Sequence, residues 1–276
     1  MRNDPEAASE VLIGPRWLEE HLADPSLRVV EVDVSSTAYD EGHIAGAVLW
    51  NIYTDLKDSG FRLVERTAVE HLLARSGISA ATTVVFYGYA PAMGLWLLKL
   101  YGHPDARILD TGGTSWQRDG RPWSTEPTVP APAHYRLPEQ DWRLRASREN
   151  VEGAIADPAV TILDVRTGAE FRGERFWPSG AAEPDGRAGH IPSARHVPVD
   201  GVRRADGSFL GSAEVRRHFA ALGDSGGTVI PYCTIGARAC TAWFALTYLA
   251  GRGDVRVYDG SWAEWGRRAG SPVDAG

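Results

Sequence analysis

The sequence predicts an α/β protein built as two tandem copies of one domain, each a mostly parallel sheet with helices on both faces. Three observations predict it. The first is an internal repeat: Gly42-His43-Ile44-Ala45-Gly46-Ala47 answers to Gly189-His190-Ile191-Pro192-Ser193-Ala194, and Thr83-Val84-Val85-Phe86-Tyr87 answers to Thr228-Val229-Ile230-Pro231-Tyr232. Asp110 precedes Trp116, and Asp259 precedes Trp265, at one common spacing, and each tryptophan leads into Gly-Arg-Pro or Gly-Ser-Pro. Ordered matches of this kind are the mark of a duplication. The second is the alternation of short apolar runs with helical patterns, which argues for a parallel sheet covered on both faces. The third is length, since 276 residues suit two domains of ordinary size.

The elements are clearest in the second copy. Ser147 is placed to cap a helix running to Ala156, and Val160-Thr161-Ile162-Leu163-Asp164-Val165 follows as an apolar strand. A helical stretch over Ala213 to Leu222 leads to the strand Thr228 to Tyr232. A helix from about Ala239 to Ala250 then leads to a strand over Val255 to Tyr258. Between the copies, Pro127, Pro130, Pro132 and Pro138 favour an extended connection. The expected division is residues 11–123 for the first domain, 124–140 for the linker and 141–272 for the second domain.

Composition bounds the function. Hydrophobic residues at 43% and charged residues at 24% are those of a globular chain with real cores. Lys and Arg total 29 against 36 Asp and Glu, a formal charge of −7 with no basic run, so no nucleic-acid partner is expected. No apolar run reaches the roughly 20 residues that cross a bilayer, so no membrane partner is expected either. Met1 to Glu10 carries neither a basic nor an apolar leader region. The two cysteines, Cys233 and Cys240, lie too close together in sequence for a disulfide framework, which points to a reducing cytoplasm. No Cys/His cluster has metal-ligand spacing and no glycine-rich dinucleotide motif occurs, so neither metal nor cofactor is expected.

Cys233 is the candidate nucleophile because it stands at the carboxyl end of a predicted parallel strand, where such folds bind ligands. The run Tyr232-Cys233-Thr234-Ile235-Gly236-Ala237-Arg238-Ala239 reads as strand end, tight turn and helix start. Such a turn points successive N–H groups inward, and the helix N-terminus adds partial positive charge, which together stabilise a thiolate. Gly236 permits the left-handed backbone the turn needs, and Arg238 offers a fixed positive charge. The spacing from Thr228 to Asp259 is 31 residues but that from Thr83 to Asp110 is only 27. The four missing residues fall at this loop, where Gly88 stands opposite Cys233. Only the second copy is therefore equipped for chemistry.

The tandem organisation, the paired Gly-His-Ile motifs, Asp164-Val165-Arg166 and Tyr258-Asp259-Gly260-Ser261-Trp262-Ala263-Glu264-Trp265 resemble the rhodanese family of thiosulfate and 3-mercaptopyruvate sulfurtransferases. The resemblance spans roughly residues 11 to 272, and the cysteine loop is similar to a bacterial thiosulfate sulfurtransferase subgroup reading Cys-Arg-Ile-Gly-Glu-Arg. It implies two tandem rhodanese-like domains, an inactive first domain, and a persulfide on Cys233 that passes sulfur from a small-molecule donor to cyanide, a thiol or a protein acceptor. It further implies substrate contacts from the loop Thr234, Ile235, Gly236, Ala237 and Arg238. Asp164, at a strand end near the loop, and Arg187, on the Pro178–Gly189 insert that the first copy lacks, join them as candidates. Tyr89 and Met93 are the candidates from the first domain.

The chain departs from the family where donors are held. Thr234 and Ile235 stand where thiosulfate enzymes often carry basic side chains, the subgroup's Arg and Glu are replaced at Thr234 and Ala237, and Glu170 stands where many relatives place a substrate-binding arginine. Alternative readings are a 3-mercaptopyruvate enzyme, a non-catalytic sulfur-relay module, and a cysteine phosphatase or arsenate reductase. The last uses Cys-x5-Arg, one residue wider than the Cys-x4-Arg of Cys233 and Arg238.

Overall fold

The computed structural model describes residues 10–223 and 226–275. Most of the amino-terminal stretch read above for a leader lies outside the described residues. Ten strands are described: β1 (Leu12–Ile13), β2 (Leu27–Asp33), β3 (His43–Ile44), β4 (Val48–Asn51), β5 (Thr83–Gly88), β6 (Ala106–Leu109), β7 (Trp123–Ser124), β8 (Val160–Asp164), β9 (Arg195–His196) and β10 (Thr228–Tyr232). The first sheet has the order β1-β6-β5-β2-β4 and the second β10-β8-β9; every pairing in both is parallel. The α/β class with helix-flanked parallel sheets is the one the alternating pattern predicts.

Ser147 caps the helix Arg148–Ala154, accepting from the Asn150 amide while the Asn150 side chain returns to the Ser147 amide. The strand Thr228–Tyr232 has its predicted bounds. The predicted helix over Ala213 to Leu222 divides into Ser212–His218 and a short 3-10 turn, Ala220–Leu222. The helix from about Ala239 begins two residues earlier, as Ala237–Phe244, and passes into a π-helical turn at Ala245–Leu249.

The predicted strand Val255–Tyr258 is not a strand, and Pro231 is the reason. The Val229 amide donates to Asp254, the Arg256 amide to Val229 and the Tyr258 amide to Pro231. The bond due from residue 231 cannot form, because proline has no N–H. Only isolated bridges remain, Val229 with Val255 and Arg145 with Val257. In the first copy Phe86 stands in the place of Pro231, and β6 forms.

The repeated motifs have a structural purpose. Tyr232 donates to Asp164 and accepts from the Ile191 amide at 3.1 Å, while Tyr87 donates to Glu31 and accepts from the Ile44 amide at 3.1 Å. The Gly-His-Ile segment of each copy is thus pinned to the tyrosine that ends its central strand. His43 and His190 hold main-chain carbonyls, of Tyr39 and Glu126 and of Phe171, and stack on Tyr39 and Phe171.

The two copies dock by exchanging equivalent contacts. Asp259 accepts from the Leu63 amide at 2.6 Å, and Asp110 accepts from the Phe209 amide at 2.7 Å. Each donor lies on a small antiparallel turn of the opposite half, closed by the bridges Lys57–Leu63 and Arg203–Phe209. The helices Pro91–Leu100 and Ala237–Phe244 pack on one another across this boundary, and one hydrophobic core runs through both halves. Every residue of Pro91–Leu100 except Lys99 is buried, as a helix enclosed on all sides requires. Between the copies, Trp123 and Ser124 pair with His43 and Ile44, and the segment beyond them, without helix or strand, lies against the first half through Ala133, Tyr135 and Leu137.

Candidate active site

β10 ends at Tyr232, and Cys233 follows directly, 1% exposed. The chain turns through Thr234 and Ile235 to Gly236, whose φ of 90° and ψ of −20° are left-handed, before entering the helix Ala237–Phe244. A Cβ at Gly236 would stand 2.7 Å from the Asp259 carbonyl oxygen, so glycine is required here by both backbone and space. The Gly236 amide donates to Cys233 Sγ at 3.1 Å. The loop is braced from behind: the Cys233 amide donates to Ser261 Oγ at 3.1 Å, and the Trp262 and Ala263 amides donate to the Cys233 and Thr234 carbonyls.

Above the sulfur lies a cavity of about 510 Å³ formed by both halves. The first half contributes Val34, Tyr53, Phe61 and Tyr89; the second contributes Trp177, Pro178, Ser179 and Ala181 besides the cysteine loop. The Tyr53 and Tyr89 hydroxyls are pushed up by desolvation and next by the Cys233 sulfur, so both remain O–H donors at neutral pH. Trp177 is fixed by donating to Glu183 at 3.0 Å, and Glu183 accepts from Arg267, whose guanidinium lies 4.4 Å from the centre of the Phe61 ring. Aromatic and apolar walls dominate the cavity.

Arg238 reaches this cavity, but its charge is matched. Its two terminal nitrogens donate to both Glu170 oxygens at 2.9 and 2.8 Å, and one donates also to Thr234 Oγ at 2.7 Å. Glu170 is fully buried and accepts in addition from Thr234 and Thr167. Desolvation alone would push its carboxyl up; the hydrogen bonds and charge of Arg238, then Thr234 and Thr167, outweigh it and hold the group at about 2. An arginine in the first turn of a helix opposes the helix dipole, and a carboxylate at the same place offsets it. Where the resemblance expects a substrate-binding arginine, the chain has an acid that occupies its only arginine on the loop.

Two sequence candidates are not at the cavity. Arg187 donates to the Ser271 carbonyl at 2.8 Å and to the Arg268 carbonyl, tying the insert to the carboxyl-terminal segment, and it does not line the cavity above Cys233. Asp164 is fully buried beneath the sheet end, paired with Arg166 at 2.6 Å and with Tyr232, so it organises the fold below the loop and cannot touch a donor. Thr234, Ile235, Ala237 and Arg238 line the cavity with Cys233, while Gly236 serves through its amide and its backbone shape. Tyr89 lines the cavity, whereas Met93 is buried in the core. Cys240 is wholly buried, its thiol pushed well up by desolvation.

Sequence reasoning missed Lys57. This buried lysine of the first half donates to the Asp259 carbonyl at 2.7 Å and lies 3.6 Å from the Asp259 carboxylate, directly behind Gly236. Desolvation lowers its pKa, against the pull of Asp259. It was also silent on Tyr53, Phe61 and Trp177. The insertion of 178–189 in one copy only was the one available signal, and it is the start of that insert, not Arg187, that faces the sulfur. No group of three His, Cys, Asp or Glu side chains able to hold a metal occurs among the described residues, and no helix among them is long and apolar enough to cross a membrane.

The Rhodanese-like domain family matches this chain twice, over residues 14–119 and 147–268. The chain belongs to the rhodanese family. Its relatives include the "Sulfur carrier protein TtuD" of Thermus thermophilus, 38% identical over 98% of both chains. A protein of Mycolicibacterium smegmatis, provisionally named a thiosulfate sulfurtransferase, is 38% identical over 98% of this chain and 99% of its own. Among solved structures, the anaerobic ergothioneine biosynthesis enzyme of Chlorobium limicola with trimethyl histidine superposes with a TM-score of 0.85 at 21% identity, covering 100% of this chain and 72% of that one. At that identity the likeness is one of fold.

Proposed function

We propose that this rhodanese moves sulfane sulfur through a persulfide on Cys233, with the first domain serving as one wall of the cavity. The observation that carries the proposal is the Cys233 sulfur, held by the Gly236 amide at 3.1 Å on the floor of a cavity lined by both domains. The thiolate attacks the outer sulfur of a donor such as thiosulfate. A new S–S bond forms, the donor's S–S bond breaks, and its electron pair leaves with sulfite. An acceptor thiolate or cyanide then attacks the terminal sulfur, and the electron pair of the broken bond returns to Cys233. No net oxidation occurs and no general base is needed, because the nucleophile enters and leaves as an anion. The Gly236 N–H provides fixed stabilisation for the charge on sulfur.

The cavity is better suited to a donor or acceptor with apolar bulk than to a small dianion. Its one loop cation is already bonded to Glu170, and its walls are aromatic. Thiosulfate is therefore a usable but weakly held donor, and a thiol-bearing or protein acceptor fits the aromatic walls. The Arg238–Glu170 pair also disfavours a phosphatase, whose arginine must be free to clasp an oxyanion.

Incubation with thiosulfate followed by mass spectrometry tests the mechanism. One added sulfur is expected on the Cys233 peptide, and none in Cys233→Ser. A wild-type protein that gains no sulfur, or gains it on Cys240, refutes it.

A further inference from the structure

The first domain contains a cavity of about 410 Å³ at the position that corresponds, in the second domain, to a buried arginine. In the second domain Arg166 is wholly buried. Its guanidinium is paired with Asp164, donates to the Gly189 carbonyl at 2.6 Å, and lies 5.4 Å from the Tyr232 ring and 4.5 Å from the Trp262 ring. The repeat maps these four neighbours onto Glu31, Gly42, Tyr87 and Gly113. Glu31 and Tyr87 face each other across β2 and β5 as Asp164 and Tyr232 do across β8 and β10. All four line the first-domain cavity.

The cation itself is missing from the first domain. Asp33 stands where the second copy has Arg166, and Gly113 where it has Trp262, so both a guanidinium and an indole have been vacated. Asp33 and Glu41 line the cavity as well, and no lysine, arginine or histidine among the described residues does. An aromatic face is restored from another direction: Trp123 lines the cavity, and its ring stands against Gly42 and about a van der Waals contact, 3.4 Å, from a Cβ placed on Gly113. Glu31 is only 4% exposed, and among the described residues its carboxylate accepts one hydrogen bond, from Tyr87 to Oε2, while Oε1, which is not a fully buried atom, has none. Desolvation, with Asp33 adding to it, pushes its carboxyl up to about 7 against the Tyr87 hydrogen bond. A buried carboxylate without a counter-charge is costly, and it is cheapest to retain where a cation comes to it.

We propose that this cavity binds a small molecule bearing a guanidinium or primary ammonium group, its charge placed against Glu31, Asp33 and the Gly42 carbonyl in the volume that Arg166 fills in the second domain. A guanidinium matches a carboxylate through paired N–H donors and lies flat on aromatic faces, here Tyr87 and Trp123. The acids alone do not define the site. The second copy of the same domain shows the equivalent residues holding a guanidinium, and that arrangement, with the open valence of Glu31, specifies the ligand.

Calorimetric titration of the full chain with agmatine, with pentylurea as a neutral control, tests this. Saturable binding of one agmatine per chain is expected, with no binding of pentylurea. Glu31→Gln should weaken agmatine at least about tenfold, the loss of one charge-assisted contact. Asp33→Arg, which rebuilds the second-domain pairing inside the cavity, should abolish binding and raise thermal stability. Absence of saturable agmatine binding to the wild type, or wild-type affinity retained in both variants, overturns the proposal. Binding of an arginine-containing peptide but not of agmatine would place the cation on a partner chain and overturn the small-molecule assignment. Sulfur transfer by the variants reports that they are folded.

Discussion

Replacing Glu170 by glutamine removes the counter-charge of Arg238 with little change of shape, and the structure specifies what should follow. The Glu170 carboxyl lies at about 2, against an ordinary value near 4.5, and the group is fully buried. A depression of this size, at about 1.4 kcal/mol per unit, corresponds to about 3 kcal/mol of stability. Because the folded-state value is the lower one, this contribution is fully present above the unfolded-state value. It is lost as pH falls from about 4.5 towards about 2, with about 2 kcal/mol gone by pH 3. Other carboxylates titrate in both proteins, so the difference between wild type and Glu170→Gln isolates this group. Urea unfolding followed by tryptophan fluorescence at pH 6, 5, 4 and 3 should show the wild type converging on the variant as pH falls. At neutral pH the variant should be less stable by up to about 3 kcal/mol, since the largely buried Arg238 is left beside a neutral amide but can reach the cavity. The freed guanidinium would then act on the cavity, and alkylation of Cys233 at pH 7 should become several-fold faster. Parallel stability curves across the acid range would show that Glu170 does not carry the charge on which the account of Arg238 depends.

Cys240→Ser should retain most sulfur transfer, measured as thiocyanate formed from thiosulfate and cyanide, because the Cys240 thiol is wholly buried and does not line the cavity above Cys233. Gly236→Ala should lower the melting temperature and the transfer rate together, through a left-handed residue costing about 1–3 kcal/mol and a Cβ 2.7 Å from the Asp259 carbonyl. Ile235→Lys should lower the KM for thiosulfate by about tenfold or more, as a charge-assisted hydrogen bond of about 1.5–3 kcal/mol allows. Thr234→Arg, which restores the arginine that the similar subgroup carries there, should not do so, because the Thr234 side chain is engaged with Glu170 and Arg238 and an arginine there meets a second one.

The fold was legible because duplication writes the same instructions twice. The Gly-His-Ile segments and the strand-ending tyrosines recur in the same order in both halves, and the structure shows why they travel together: Tyr87 and Tyr232 bind the Ile44 and Ile191 amides. Cys233 was legible from its place at a strand end. The rest of the cavity was not, since Tyr53, Phe61 and Trp177 come from three separated segments and carry no motif. Arg187 and Asp164 misled for one reason: a charged residue on an insert or at a strand end expected near the site carries no sign of which carbonyl or counter-ion it has already found. The strand expected at Val255–Tyr258 failed on a single missing N–H at Pro231, a local veto that the apolar pattern does not register.

The docking contacts explain how a copy without a nucleophile can still be required by the other. Asp110 and Asp259 each anchor an opposite-half turn through a backbone amide, so neither domain is complete without the other's turn. On the second-domain side the anchor is stronger, because Asp259 also holds Arg145 at 2.7 Å and Lys57 at 3.6 Å, and its own carbonyl, the one that excludes a Cβ at Gly236, accepts from Lys57. The residues that shape the back of the cysteine loop are therefore supplied partly by the first domain. The first copy, with Gly88 opposite Cys233 and a shorter loop, carries no thiol there but supplies this support. The turn and core of the first domain are thus tied to the cysteine loop, whereas Glu31 and Gly113 at its own strand end line a separate cavity that shares only Tyr89 with the one above Cys233.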